Sequence, residues 1–178
     1  MAQHTKNAIR QAFIALLNER SLDKISIKDI AERSSVNRNT FYYHYSDIYA
    51  LVEDIFQIEI DRFLEKMRDY HSWQEAFRAA TEFAFENKRA VYHLFGSENR
   101  EALEHYYHKV TFAAMASYVR GQAEGLPVNE SDVQMVTEFY TAALAGLTID
   151  WLHGGMKTDT DAYIDRLGYL LDGNIRRS

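Results

Sequence analysis

The chain has 178 residues, enough for one large domain or for a small domain joined to a medium one. Hydrophobic residues make up 47% of it, so it can bury a real core, and one proline with eight glycines leaves few helix breaks, which points to an all-α fold. The absence of cysteine excludes disulfides, thiolate catalysis and Cys-based zinc sites, while the net charge of −6 argues against a nucleic-acid partner until its distribution is read. Residues 1–45 hold seven Lys/Arg against four Asp/Glu, a balance of +3, and residues 46–178 hold thirteen against twenty-two, a balance of −9. A basic head on an acidic body is the asymmetry expected where one end alone touches phosphate. No apolar run follows Met1–Lys6 as a signal peptide would require, and no uncharged stretch approaches a membrane span. The expectation is a soluble cytoplasmic protein with no membrane partner.

Helical periodicity runs almost throughout, without repeats or low-complexity tracts. Thr5 to Arg20 places Ile9, Phe13, Leu16 and Leu17 on one face, with Ala12 between them. After a connector over 21–25, Ser26 opens a second helix with Asp29 three residues on as a capping pair, and Ile27, Ile30 and Ala31 form its buried face. It ends near Ser34. Ser35-Val36 is the turn, and Asn37 caps a short third helix to Tyr43 or His44. Asp47 caps a long fourth helix with Leu51, Ile55, Ile58, Phe63 and Met67 as its apolar stripe, reaching about Tyr70. Ser72-Trp73-Gln74-Glu75 opens a helix to about Asn87, Lys88 to Phe95 is a shorter one ended by Gly96, and Ser97 or Asn99 caps a helix to Gln122. A loop over 125–129 precedes a long helix from Ser131 to His153, closed by Gly154-Gly155. Residues 158–161 then cap a last helix to about Ile175. The total is nine helices.

The second and third helices, about two turns each across a short turn, have the proportions of a DNA-binding helix-turn-helix. Many helical hairpins share that spacing, so the composition of the third helix matters more. Val36, Phe41 and Tyr45 pack inward, which leaves Arg38, Asn39, Thr40, Tyr42, Tyr43 and His44 on the outer surface. Arg donates bidentately to guanine and Asn pairs with adenine in the major groove. Thr and Tyr hydroxyls and a His ring N–H can bond phosphate oxygens, and Lys28 with the free N–H groups at the Ser26 end adds a phosphate site. The competing reading is a surface helix whose aromatics pack on the fourth helix.

Residues 25–45 resemble the DNA-binding segment of the TetR (tetracycline-repressor-like) family. The resemblance rests on the Ile30-Ala31 pair, the turn, and the signature Thr40-Phe41-Tyr42-Tyr43-His44-Tyr45 before a long fourth helix, and it covers roughly residues 5–55. It implies a DNA-binding domain over residues 1–46, with its recognition helix at about 37–44, and a helical regulatory and dimerisation domain over 47–178. It implies a bacterial regulator, a repressor by family default, that is nucleoid-associated when bound to double-stranded DNA. Arg38, Asn39 and Tyr43 are the expected base readers. Lys28, Thr40, Tyr42 and His44 are expected at phosphate, and Ser26, Ser35 and Asn37 complete the DNA-facing set. Two departures stand out. The family often has Gly where this chain has Ser35, so the serine must adopt the backbone geometry that glycine eases. The family usually has a phosphate-binding Lys at the start of the fourth helix, where this chain has Ile48.

A single reader of this size touches few base pairs, so a homodimer on a palindromic operator is expected. Its interface is placed on the last two helices at Phe139, Ala143, Leu147, Trp151, Tyr163, Leu167, Leu170 and Leu171, the alternative being that these residues bury within their own subunit. The resemblance also implies an effector held in the body. The expected lining is aromatic and Met-rich (Phe63, Met67, Phe83, Tyr92, Tyr106, Phe112, Met115, Tyr118), which suits a small apolar or aromatic molecule. His93, His105, His108 and Glu82 are the polar groups weighed for orienting it. His105 and His108 stand at metal-compatible spacing, yet no carboxylate completes a motif and no nucleophile–base set is found. The expectation is therefore a non-enzyme with no catalytic residues, metal or cofactor. A regulator of the same fold that acts through a protein partner, as a coactivator or architectural factor, is the alternative.

Overall fold

The computed structural model describes residues 2–66, 69–70, 72–97, 100–157 and 160–175. Among them it is all-helical, with nine α-helices: α1 (Ala2–Glu19), α2 (Ile27–Arg33), α3 (Arg38–His44), α4 (Ile48–Lys66), α5 (Trp73–Glu86), α6 (Lys88–Phe95), α7 (Arg100–Ala123), α8 (Glu130–His153) and α9 (Thr160–Ile175). The connector after α1 contains a 3-10 turn, Leu22–Lys24. No helix among the described residues is long and apolar enough to cross a membrane.

Most helix ends are set by local chemistry. Asp47 caps α4 by accepting the Ala50 N–H at 2.8 Å, and Ser72 accepts the Glu75 N–H at the start of α5 at 3.2 Å. α4 is described as far as Lys66, and residues 67 and 68, which the expected helix includes, lie outside the described residues. α8 begins one residue before the expected Ser131, because Asn129 leaves the loop to act as its cap, accepting from the Asp132 N–H at 2.9 Å. The expected caps Asn99, Thr158 and Asp159 lie outside the described residues. α8 closes as expected on Gly154-Gly155: Gly155 is left-handed, and the Met156 N–H reaches the Trp151 carbonyl at 3.0 Å.

The chain forms two compact units, residues 1–59 with 84–105, and residues 60–83 with 106–178. This packing boundary differs from a division after residue 46, because α6 packs on α1 in the first unit. The two helices cap each other. Asn87, just before α6, makes no side-chain cap, and the Asn18 Oδ1 of α1 accepts the Ala90 N–H at 3.3 Å instead. In return the His93 ring Nδ1 donates to the Leu17 carbonyl at 2.6 Å, in the last turn of α1 where carbonyls lack intrahelical partners.

In the second unit Trp73 and Phe77 of α5, Met115 of α7, Leu144 of α8 and Ile164 of α9 form one buried cluster. Arg78 ties α5 to α9 through Asp161 at 3.0 Å and through Asp165. The same pair of helices approaches closely at Gly168, where a Cβ would meet the Gln74 side chain.

Candidate nucleic-acid interface

The reading head is built on two seven-residue helices. At the start of α2 the Ser26 hydroxyl accepts the Asp29 N–H at 3.2 Å, and the Ser26 N–H donates back to Asp29 Oδ2 at 2.8 Å. The hydroxyl also donates to the same carboxylate at 2.7 Å. These bonds from Ser26, with Arg20 at 3.2 Å, hold the Asp29 carboxyl below its ordinary pKa. Both donors of Ser26, expected to face phosphate, are therefore engaged inside the head.

The end of α2 shows how the chain manages without a turn glycine. Ser35 is left-handed, with φ of 56°. Its N–H donates to the Glu32 carbonyl at 3.2 Å, and the Val36 N–H donates to the Ala31 carbonyl at 2.9 Å, the two bonds of a Schellman closure. A non-glycine residue in that region costs roughly 1–2 kcal/mol.

α3 follows at once. Asn37 accepts the Thr40 N–H at 2.8 Å and the Thr40 hydroxyl at 3.1 Å, so both residues serve the cap. Phe41 and Tyr45 are buried, and the opposite face carries exposed Arg38 and Asn39 with Tyr42 at 55% and Tyr43 at 81% exposure. His44 is half-buried, its ring edge-on to Tyr43 at 5.0 Å. The two tyrosines on this face are thus not packed on α4.

Ion pairing explains what the +3 balance of the head means. Five of its seven cations are paired: Lys6 and Arg10 with Asp54, Arg20 with Asp29, Lys28 with Glu32 at 3.7 Å and Arg33 with Glu19 at 2.7 Å. Among the described residues Lys24 and Arg38 have no ion pair, and Arg38 stands on the outer face of α3.

The other end of α3 is held by a cluster that sequence reading missed. The Tyr45 hydroxyl and the Arg10 Nε both donate to Asp54 Oδ2 at 2.6 Å, and Lys6 lies 3.6 Å from Oδ1 and 5.2 Å from the Tyr45 ring centroid. Asp54 of α4 therefore ties α3 to α1. Burial alone would raise its pKa, but the hydrogen bonds from Arg10 and Tyr45 and the charges of Arg10 and Lys6 outweigh it and hold the carboxyl below its ordinary value. Burial, and then the facing carboxylate, push the Tyr45 phenol far above its ordinary value. Partners nine and 44 positions apart share no local pattern, so nothing in the spacing announced them. Ile48, in place of the family lysine, is the half-buried first residue of α4.

The residues expected to line an effector site are only partly brought together. Met115 and Tyr118 join Trp73 and Phe77 in the second unit, and Phe63 and Tyr106 are buried. Tyr92 and Phe112 are exposed instead: α6 buries Ala90, Val91 and Leu94, and Phe112 lies off the buried α7 stripe, stacked on His108. Met67 and the Phe83 side chain lie outside the described residues. Of the expected dimer residues, Phe139 and Ala143 are exposed and Trp151 is half-buried, while Leu147 and Leu167 pack against the core of their own unit. The Tyr163, Leu170 and Leu171 side chains lie outside the described residues. No group of three His, Asp or Glu able to hold a metal occurs among the described residues.

Residues 9–55 match the family described as bacterial regulatory proteins of the tetR family, and residues 71–173 match a transcriptional regulator C-terminal region. Over 57 residues the chain is 32% identical to an uncharacterized HTH-type transcriptional regulator, YxbF, of Bacillus subtilis, a match spanning 32% of this chain and 15% of that protein. Over 84 residues it is 26% identical to DhaS, the HTH-type dhaKLM operon transcriptional activator of Lactococcus lactis, covering 47% of this chain and 45% of DhaS. These matches thus span less than half the length of either relative. The solved structure of a dihydroxyacetone kinase operon activator DhaS superposes with a TM-score of 0.77 at 19% identity, covering 97% of this chain and 96% of that one. FadR of Bacillus subtilis in complex with stearoyl-CoA superposes with a TM-score of 0.67 at 14% identity, covering 92% and 96%.

Proposed function

Because the chain belongs to the TetR family of transcriptional regulators, a non-enzymatic family that binds DNA through its helix-turn-helix, we propose that it acts as a homodimer on a palindromic operator in the bacterial cytoplasm, its operator affinity set by a small molecule. In this reading residues 1–46 read DNA, and residues 47–178 regulate and dimerise. The observation that carries it is the outer face of α3, where Arg38, without an ion pair among the described residues, stands beside exposed Asn39, Tyr42 and Tyr43. Arg38 reads guanine, Asn39 reads adenine and Tyr43 contacts a base edge or methyl. Tyr42, His44 and Lys28 hold phosphate. Ser26, Ser35, Asn37 and Thr40 shape the head around them, since their polar groups already open α2, close it and open α3.

Selection of bound oligonucleotides tests this. The bound pool is expected to contain an inverted repeat, and Arg38→Ala is expected to weaken binding about 10- to 100-fold with relaxed preference at one position per half-site. A pool without sequence preference, or an unchanged affinity for Arg38→Ala, refutes it.

The dimer reading is supported by α8, whose outward face leaves Met135 and Phe139 65% and 67% exposed beside exposed Ala143 and Gly146. Phe139→Glu is expected to leave a monomer in sedimentation. The effector reading is supported by a relative solved with stearoyl-CoA bound. For the sign of regulation, repression relieved by the effector is the first reading. Similarity to an operon activator over nearly the whole chain favours a second, in which the bound dimer recruits a protein partner. In vitro transcription with the operator moved from over the promoter to upstream of it separates the two: block in the first position means repression, stimulation in the second means activation.

A further inference from the structure

We propose that Tyr45 and Asp54 are positioning residues for base reading: the bond between them fixes the angle at which α3 presents Arg38 and Asn39, so operator preference depends on two side chains that act through others. This rests on the base-reading role given to α3 above.

α3 has few ways to be held in one orientation. It is seven residues long, and its first turn is bonded only locally, from the Thr40 N–H and hydroxyl to Asn37. Phe41 and Tyr45 are buried, with their ring centroids 5.7 Å apart. Apolar burial holds the helix against the head, but it is non-directional and leaves a short helix able to pivot on its buried rings. A hydrogen bond has a direction. Among the described residues, one side-chain hydrogen bond joins residues 37–45 to another helix, and it runs from the Tyr45 hydroxyl to Asp54 Oδ2 at 2.6 Å.

Asp54 is itself fixed. The Arg10 Nε donates to the same oxygen at 2.6 Å, and Nη1 of that guanidinium donates to Asn7 Oδ1 at 2.7 Å. Lys6 lies 3.6 Å from Oδ1. The carboxylate is thus carried by α4 and braced from α1, a reference point that does not belong to α3. Phenylalanine at position 45 would keep the ring packing and lose that reference.

The tether acts on the far end of the helix. Tyr45 follows the last residue of α3, while Arg38 and Asn39 stand in its first turn. The rise of a helix places these readers roughly 10 Å from the tether. A swing of about 10° at Tyr45 displaces them by roughly 2 Å, which breaks the alignment that a bidentate contact to a base edge requires. Attraction to phosphate is independent of sequence and does not need that alignment. Loss of the tether therefore costs preference rather than attraction to DNA.

Tyr45→Phe in the full chain tests this, with affinities for the selected operator and for a random-sequence duplex of equal length measured well below the unfolding midpoint. Operator affinity is expected to fall about 5- to 20-fold, with affinity for the random duplex within about twofold of the wild-type protein. No charge is removed, so the salt dependence of random-duplex binding is expected to be unchanged. Arg38→Ala with Tyr45→Phe is expected to weaken operator binding by clearly less than the product of the two separate losses, since the tyrosine acts through the arginine. An unchanged operator affinity overturns the proposal, and so does an equal fall on both duplexes, which is the signature of lost folded protein. Losses that multiply in the double variant overturn it as well. A wild-type protein that binds both duplexes alike overturns the base-reading role itself, and this proposal with it.

Discussion

Replacing Tyr45 with Phe removes one oxygen from the cluster that ties α3 to α1 and α4 and leaves the buried ring in place. The lost bond is a 2.6 Å contact from a phenol to a carboxylate, a class that contributes about 1.5–3 kcal/mol. Asp54 keeps Arg10 and Lys6, and its side chain is 25% exposed, so water can replace part of what is lost and the lower end, about 1.5 kcal/mol, is expected. Asp54→Asn takes more away, because it leaves Arg10, 11% exposed, facing an uncharged amide. About 2–3 kcal/mol is expected, below the 3–5 kcal/mol typical of breaking a fully buried pair. The double variant should fall short of the sum by about 1 kcal/mol, since both changes remove the same bond. Urea unfolding of the full chain at neutral pH measures all three.

The pH dependence has a definite sign. The folded carboxyl titrates below its ordinary value of 3.8, so its contribution is complete above that value and is lost as pH falls through the lower folded pKa. The gap between the wild-type protein and Asp54→Asn should stay constant from about pH 8 to pH 5 and narrow below about pH 4. A Tyr45→Phe variant within about 0.3 kcal/mol of the wild-type protein, or an Asp54→Asn variant no less stable than Tyr45→Phe, would show that the cluster does not hold the recognition helix.

Ser35→Gly relieves the left-handed strain of roughly 1–2 kcal/mol against a glycine entropy cost of about 0.5–1 kcal/mol, so a gain of about 0.5–1 kcal/mol is expected. A thermal melt should show it as a rise of roughly 1–4 °C, and the absence of any rise would contradict the strain argument. Ile48→Lys restores the cation usual in the family and should steepen the dependence of operator binding on salt by about one unit of slope. An unchanged slope would place residue 48 away from phosphate. Asn18→Ala removes the acceptor that α1 offers to the first turn of α6 and should destabilise the first unit by about 1 kcal/mol, with faster amide exchange at Ala90. Exchange at Ala90 as slow as in the wild-type protein would show that the bond is dispensable.

Where a helix begins and ends was largely legible in the residues, because a cap involves side chains three or four positions apart. Ser26 with Asp29, Asn37 with Thr40 and Asp47 with Ala50 are all of this kind. The close of the Lys88–Phe95 helix at Gly96 was readable for the same reason, its N–H reaching the Tyr92 carbonyl, whereas the start of that helix is capped from α1. The buried face of α1 followed from its period, and Ile9, Phe13, Leu16 and Leu17 are all in the core. Aromatic composition was a weaker guide: it placed Tyr92 and Phe112 inside, and both are exposed, since hydrophobic character alone does not say which face a helix turns inward.

The sequence by itself determined an all-helical chain with a helix-turn-helix at its head, a serine obliged to take a glycine's conformation, and a recognition helix whose outer surface carries Arg38, Asn39, Thr40, Tyr42, Tyr43 and His44. Each of these rests on periodicity, capping or turn chemistry within a few residues. Only the tertiary structure decided that Asp54 gathers Lys6, Arg10 and Tyr45, and that Asn18 and His93 join α1 to α6. Those partners lie 9 to 76 positions apart along the chain. At such separations the pairing is selected by how helices pack, and no local pattern of residue types encodes it. The recognition helix is therefore readable from its own seven residues, but what holds it at a fixed angle is not.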